Sequence, residues 1–434
     1  MVELSGKTSA DNQSSKYDYL SVSHPEVKLG IHDTVFKKNS SGQIQDDSHR
    51  EIGSILSPDN IKNDSILLDF SKPGDYLNKI KQYIPDQIIS DENYQEIQHV
   101  ADYFNTDISS FFGFETVLSS TMSKSDYCIA ISKNREREEL LQILENQELP
   151  ANIIEGTSWK NITNFTKEWA NPLSIIHDQV LGLWFEFDTS ESFKDLPIPN
   201  IFFHAKKIRI QSKKEEEQFQ WIPQIAIPLL TGKKLQKNIE KKLIHSIKKL
   251  PPESSVFHFG AMLSRESQGI RIVIDKIKPH QLIDYLHSIG WTYETRDLID
   301  ILQELNKYVS RVVLHLNIGE KVDKKIGIEC SFSLDKYHNE EKWTDFLDYL
   351  ELNNLCIPEK KKALLQFIGA DFSNSIRDLT IDQYKPSVMV GDTNSSLALV
   401  RYISHIKLVY NPDNSIIAKA YPGVRLLGSI TKKY

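Results

Sequence analysis

SHIKLVYNPDNSIIAKAY, residues 404–421, holds two apolar runs joined by Pro412-Asp413-Asn414. Proline suits the first position of a tight turn and asparagine tolerates the left-handed backbone that precedes a bulge, so Asn411 and Ser415 are expected to close a three-residue hairpin loop. That loop sets a register in which Val409 faces Ile417, Lys407 faces Lys419 and His405 faces Tyr421. Because successive strand residues point to opposite faces, Ile406, Leu408, Tyr410, Ile416, Ala418 and Ala420 form an apolar face. The two lysines, His405 and Tyr421 form the other. A slip of one residue would set Lys407 against Ala418 and mix the faces, so the clean separation itself favours this register.

The same pairing of strand-like runs recurs upstream. FETVLSST (114–121) with DYCIAIS (126–132), LGLWFEFD (181–188) with NIFFHA (200–205), SVFHFGAML (255–263) with GIRIVID (269–275), and RVVLHLNI (311–318) with KIGIECSF (325–332) make four more pairs. Helical patterns separate them: REREELLQILEN (135–146), TNFTKEWA (163–170), KLQKNIEKKLIHSIKKL (234–250) with an apolar residue every fourth position, PHQLIDYLHSI (279–289) opened by Pro279 and stopped by Gly290, DLIDILQELNKYV (297–309), EKWTDFLDYLELNNL (341–355) and EKKKALLQFIG (359–369). Two helices precede the first pair, DYLNKIKQYI (75–84) and DENYQEIQHVADYF (91–104), the latter behind Ser90 as N-cap. Short links pair strands antiparallel, and helices between the pairs let each new pair extend one sheet. The expected fold is therefore α/β of the α+β kind: about five α-β-β-α units in a closed or nearly closed antiparallel β-barrel surrounded by helices. The barrel is expected over residues 75–430 as one domain, with residues 1–60 a polar, largely disordered tail.

A barrel ringed by helices requires each strand to alternate apolar outward with other residues inward. Leu183, Phe185 and Phe187 alternate with Trp184, Glu186 and Asp188, and Ile201, Phe203 and Ala205 with Phe202 and His204. Phe257, Phe259, Ala261 and Leu263 alternate with Val256, His258, Gly260 and Met262, and Ile270, Ile272 and Ile274 with Arg271, Val273 and Asp275. In the fourth pair Ile326, Ile328 and Cys330 alternate with Lys325, Gly327 and Glu329, and a symmetric 319–325 loop sets His315 opposite Glu329. Four hairpins thus carry an inward histidine: His204, His258, His315 and His405. A half-exposed sheet would also alternate, but its polar face usually carries Thr, Ser, Lys and Glu. Repeated His, Trp, Phe, Met and Gly suit a ligand cavity better. Like charges directly opposite destabilise a sheet, so an anion is expected beside Lys407 and Lys419: Glu329, Glu186, or a bound phosphate, diphosphate or carboxylate.

This block order resembles the ABBA prenyltransferase barrel, over about residues 75–425 and by element order alone. PIPNIFFHA, KIGIEC and HIKLVYNPDNSIIAKAY are also similar to segments of bacterial proteins found near peptide natural-product clusters. The first resemblance implies transfer of a prenyl group from an allylic diphosphate to an aromatic or peptide acceptor inside a polar lumen. Such chemistry needs cations for the leaving group, aromatic walls for the allyl cation and a carboxylate for the acceptor's proton. Arg271, Lys325, Lys407 and Lys419 are the candidate cations, with His405, His204 and His258 as further binding groups. Trp184, Phe202 and Tyr421 are the candidate walls, and Glu186, Glu329 and His315 the candidate catalytic groups. The alternative is a non-catalytic ligand- or peptide-binding partner in peptide maturation, using the same cavity or a sheet edge.

The 434 residues carry 52 basic and 59 acidic side chains, a net charge of -7, with no long basic run interleaved by aromatics, which argues against nucleic acid. KKIRIQSKKEEE (206–217) reads as a solvated loop. Cys128, Cys330 and Cys356 are widely spaced and form neither a CxxC pair nor a disulfide framework, which suits a reducing, cytoplasmic setting. No apolar stretch of membrane length and no secretory signal is present, so no membrane is expected. P-loop, GxGxxG, HExxH and GxSxG motifs are missing. DDxxD is missing too, the Asp46-Asp47 pair lying in the polar tail, which argues against an isoprenoid synthase of the helical class and is neutral for the barrel class; no metal-ligating residues are assigned, and a diphosphate substrate can bring Mg2+ with it. His177-Asp178, within a helical stretch, has no nucleophile motif beside it and reads as structural.

Overall fold

The computed structural model describes residues 37–38, 44–45, 73–104, 109, 111–133, 135–145, 156–189, 196–265, 269–332, 340–373, 395–413 and 415–430. Of the expected polar tail, only an antiparallel pairing of Lys37–Lys38 with Ile44–Gln45 is described, and the rest lies outside these residues.

Eleven strands form the main sheet: β1 (Phe111–Val117), β2 (Ser125–Ser132), β3 (Val180–Phe187), β4 (Asn200–Ile208), β5 (Ser255–Ala261), β6 (Ile270–Asp275), β7 (Arg311–Ile318), β8 (Ile326–Ser331), β9 (Gly369–Ser373), β10 (Ser395–Asn411) and β11 (Ser415–Ile430). Strands β1 to β8 run in sequence order around the ring, β11 pairs with β1 and β10 with β11. Pairing of β8 with the C-terminal part of β10, Ile326 with Tyr410 through Cys330 with Ile406, closes a ten-stranded antiparallel barrel. The short β9 lies outside that ring, on the N-terminal part of β10.

The ladder between β10 and β11 has the expected register, with Lys407 opposite Lys419, His405 opposite Tyr421 and Asn411 opposite Ser415. The ladders are interrupted by bulges at Val180/Gly182, His204/Ile208 and Val256/His258, and in the β10–β11 ladder itself at Ile403/His405. A bulge adds one residue to one strand and increases local twist, which helps a sheet close. The bulge in β5 also corrects the alternation: Val256 joins the outer core, while Phe257 belongs to a small cluster with Val273, Val313 and Phe202.

Helices cover the outer wall because each carries an apolar stripe at helical spacing. Helix Lys237–Lys248 buries Ile239, Leu243 and Ile247, and helix Arg296–Tyr308 buries Leu298, Leu302 and Leu305. These meet the outward residues of the strands in one continuous core containing Phe114, Phe185, Phe203, Phe259 and Ile328. Each such fully buried aromatic stabilises the fold by about 1.5–3 kcal/mol relative to an exposed one. Ser90 caps helix Asp91–Ala101, accepting the Asn93 N–H at 3.2 Å, as the sequence indicates. The segment read as a solvated loop is instead the end of β4 followed by helix Lys213–Phe219, which Ser212 and Glu215 open with a reciprocal capping box. The Ser-x-x-Glu signal at Ser212 and Glu215 opens this helix despite the density of charge around it. His177 packs outside the barrel, its Nδ1 lying 3.0 Å from the Trp169 carbonyl and its Nε2 3.4 Å from Arg137 Nη2.

The two strands of each of the five pairs are joined at one end of the barrel, by 118–124, 188–199, 262–269, 319–325 and 412–414. The helical crossovers leave from the other end. No helix among the described residues is long and apolar enough to cross a membrane.

Candidate functional site

The inward residues of β1, β10 and β11 meet in one charged knot. β1 turns Phe112 and Phe114 into the outer core and therefore Glu115 into the lumen. Lys407 Nζ donates to Glu115 Oε2 at 3.2 Å, and Lys419 Nζ and the Tyr421 hydroxyl donate to the same carboxylate. Lys407 Nζ also sits 4.6 Å from the centre of the Tyr421 ring, which stacks on His405 at 4.0 Å. The anion required beside the lysine pair is thus Glu115, and neither Glu329 nor Glu186 takes that place. Burial would raise the Glu115 pKa, but Lys407 and Lys419 override it and hold the group at about 2.

A second knot lies across the seam. His315 Nε2 lies 3.1 Å from Glu329 Oε2, His405 Nε2 3.9 Å from the same oxygen, and Arg311 Nη1 4.0 Å from Oε1. Arg311 also pairs with Asp275 at 2.9 Å. The register differs from the symmetric one: His315 stands opposite Gly327 and Glu329 opposite Val313, because Ile318 pairs with Val322 and skews the loop. The two groups still share a face and meet on the diagonal. Burial opposes ionisation of Glu329, yet His405, His315 and Arg311 hold it well below the usual carboxylate range. Burial likewise lowers the His315 pKa, which makes it a neutral donor to that carboxylate. Glu329 is therefore a fixed anion, poorly suited to accept a proton.

At the hairpin end, Arg265 bridges Glu186 at 3.1 Å and Asp188, and Asp188 also accepts from the Ser264 hydroxyl at 2.6 Å and Asn200 Nδ2 at 3.1 Å. Burial and the neighbouring Glu115 charge raise the Glu186 pKa, Lys407 and Arg265 notwithstanding. The side chain of Arg271 in β6 makes no hydrogen bond or ion pair among the described residues, and its Nε is buried without an acceptor. Burial pulls its pKa down, a cost that a bound anion would offset. Beside it, Gly260 lies under Phe202: a Cβ there would come within 2.7 Å of the ring and 2.9 Å of Arg271 Cβ, so only glycine lets the ring lie flat on β5.

The lumen is not evenly open. His204, His258, Phe257, Val273, Val313 and Glu329 are buried, whereas Trp184, Phe202, Arg271, His315, Lys407, Lys419 and Tyr421 are half-buried. His204 and His258 stand edge to face at 5.1 Å within the closed part. Trp184 meets Phe111 at 5.1 Å on the aromatic wall. Of the residues expected inward, Lys325 is not in the lumen group: it is exposed in the 319–325 loop, with its backbone N–H donated to Asp323, one residue short of β8.

The sequence reading missed Glu115, Asp126, Arg265 and Arg311. Glu115 was recoverable, because with the strand begun at Phe111 rather than Phe114, Phe112 and Phe114 mark one face and leave Glu115 on the other. Arg265 lies in a turn, where no period assigns a face. All three cysteines are free and buried. Among the described residues no group of three or more His, Cys, Asp or Glu is arranged to hold a metal ion.

No protein-family model matches the chain and no curated protein matches it. Among solved structures, 6-dimethylallyltryptophan synthase from Micromonospora olivasterospora, solved with DMASPP and Trp, is similar at 11% identity, covering 71% of this chain and 80% of its own, with a TM-score of 0.40. A second structure, a 6-dimethylallyl tryptophan synthase, is similar at 10% identity, covering 78% and 83%, with a TM-score of 0.41. At that level the likeness is one of general chain course, and nothing about this lumen follows from it.

Proposed function

We propose that the protein transfers a prenyl group from an allylic diphosphate to an aromatic or peptide acceptor inside the barrel. The observation that carries this reading is Arg271, a half-buried guanidinium without a counter-ion among the described residues, set in the same lumen as an aromatic wall and a lysine pair. The C–O bond to the diphosphate breaks, and Arg271 with Lys407 and Lys419 takes up the charge that builds on the leaving oxygen. Trp184 and Phe202 present ring faces to the allyl cation and keep water from it, while the Tyr421 ring, stacked on His405 and facing Lys407, holds the lysine pair in place. The acceptor carbon or heteroatom forms the new bond, and its proton passes to Glu186, whose raised pKa suits that task better than the fixed anion Glu329. His315 then orients Glu329 and does not exchange the proton. Any Mg2+ would arrive on the diphosphate.

Incubation with dimethylallyl or geranyl diphosphate and a panel of aromatic amino acids and peptides, read by mass spectrometry, tests this reading. A prenylated product lost in Arg271→Met is expected, and no product from any pair overturns it. One observation favours a second reading: Glu115 already neutralises part of the lysine charge, as suits a cavity that only holds its ligand. A non-catalytic partner in peptide maturation would bind a peptide in the same assay without consuming the diphosphate.

A further inference from the structure

Opposite Glu115, on the neighbouring strand, stands a carboxylate that this mechanism does not use. Asp126 of β2 is the cross-strand partner of Glu115, on the inner face and half-buried. One oxygen is fixed: the Thr189 N–H donates to Oδ1 at 2.8 Å and the Thr189 hydroxyl lies 3.3 Å from it. Oδ2 accepts no hydrogen bond among the described residues. The charges that face Asp126 are Glu115 from β1, Glu186 and Asp188 from β3 and its following turn, and Lys419 from β11. The nearby cations are committed elsewhere, Arg265 to Glu186 and Asp188, and Lys407 and Lys419 to Glu115. Cys128, on the same strand, is a thiol kept protonated by burial. Burial first, then the Glu115 charge, raises the Asp126 pKa to about 7.

We propose that Asp126 is a second proton-exchanging carboxyl of the lumen, separate from Glu186 and linked to anion binding: it takes one proton from solvent when an oxyanion binds at Lys407 and Lys419. This rests on the anion-site reading above. The lysines are the accessible part of their knot, with side chains 12% and 25% exposed against 3% for Glu115, so an entering oxyanion meets the ammonium groups first. It then shares with Glu115 the two cations that had balanced that carboxylate. The negative charge around Asp126 grows, and a like charge at short range disfavours the ionised form. Thr189 holds Asp126 in place through Oδ1, which leaves Oδ2 to receive the proton. Binding and protonation are thermodynamically linked, so each favours the other to the same degree.

Sulfate is the suitable probe, because its own charge stays constant between about pH 6 and 9, where Asp126 titrates. Calorimetric titration in buffers of different ionisation enthalpy counts the protons taken up. Wild-type protein is expected to take up close to one proton per sulfate above pH 7, with affinity falling up to about tenfold per pH unit. Asp126→Asn, which keeps an oxygen for Thr189, is expected to bind sulfate with no uptake and little pH dependence. Sulfate binding without proton uptake in the wild type overturns this proposal alone. Uptake that persists in Asp126→Asn also overturns it, and assigns the proton to another lumen group such as Glu186, His315 or His405. Absence of sulfate binding at every pH overturns it together with the anion-site reading.

Discussion

Lys407 and Lys419 face each other across a ladder, an arrangement that costs stability unless an anion lies between them. Glu115 lies there, nearly inaccessible, on a third strand. Reading the hairpin alone suggests that replacing both lysines with methionine would leave the unliganded protein as stable or more so. The structure reverses that sign, because the change strands a buried carboxylate. Removing the partners of a buried ion typically costs about 3–5 kcal/mol. Lys407→Met/Lys419→Met is therefore expected to unfold at markedly lower urea than wild type, and adding Glu115→Gln is expected to recover most of the loss. Equal stability of the double and triple variants would show that Glu115 is not the stranded charge.

Among the elements, the helix Pro358–Phe367 is pinned to the first hairpin by one buried lysine. Lys360 Nζ donates to Thr116 Oγ1 at 3.0 Å and to the Met122 carbonyl at 2.9 Å, which joins a helix to a strand and its loop more than 230 residues earlier. Burial lowers its pKa from 10.5 to about 8. The folded state therefore holds this proton less tightly than the unfolded chain. The resulting penalty is fully present below about pH 8 and relieved as pH rises towards 10.5. Lys360→Met removes both the penalty and the two hydrogen bonds, leaving buried acceptors at a cost of about 1–3 kcal/mol. Urea titrations should find the variant less stable than wild type at pH 10, with that deficit shrinking or reversing at pH 7. A margin independent of pH would mean that Lys360 stays charged in the fold.

For the whole molecule, closure depends on the last two barrel strands. They cover both edges of the eight-strand sheet, β8 through β10 and β1 through β11, and bring in His405, Lys407, Lys419 and Tyr421. Removing residues 395–434 would expose two long hydrogen-bonding edges and leave Glu115 without its cations. An open edge of that kind pairs with other chains. The truncated protein is expected to elute as aggregates in size-exclusion chromatography, and a soluble folded monomer would show that the first eight strands form a stable open sheet.

The alternation of residues at a period of two, helical stripes between strand pairs, and the Pro-Asp-Asn loop are local signals. They carried the block order, the β10–β11 register and the inward position of Glu186, His204, His258, Arg271 and Lys407. Tertiary structure decided what those inward residues meet. Glu115 neutralises the lysines because closure brings β1 beside β11, and Glu329 is a fixed anion because β8 lies against both β7 and β10. The bulge that turns Phe257 inward and the skewed loop that shifts His315 depend on curvature that no single strand displays. A side chain's face follows from local backbone geometry, but its partner and its proton affinity are set by the other strands that barrel closure brings beside it.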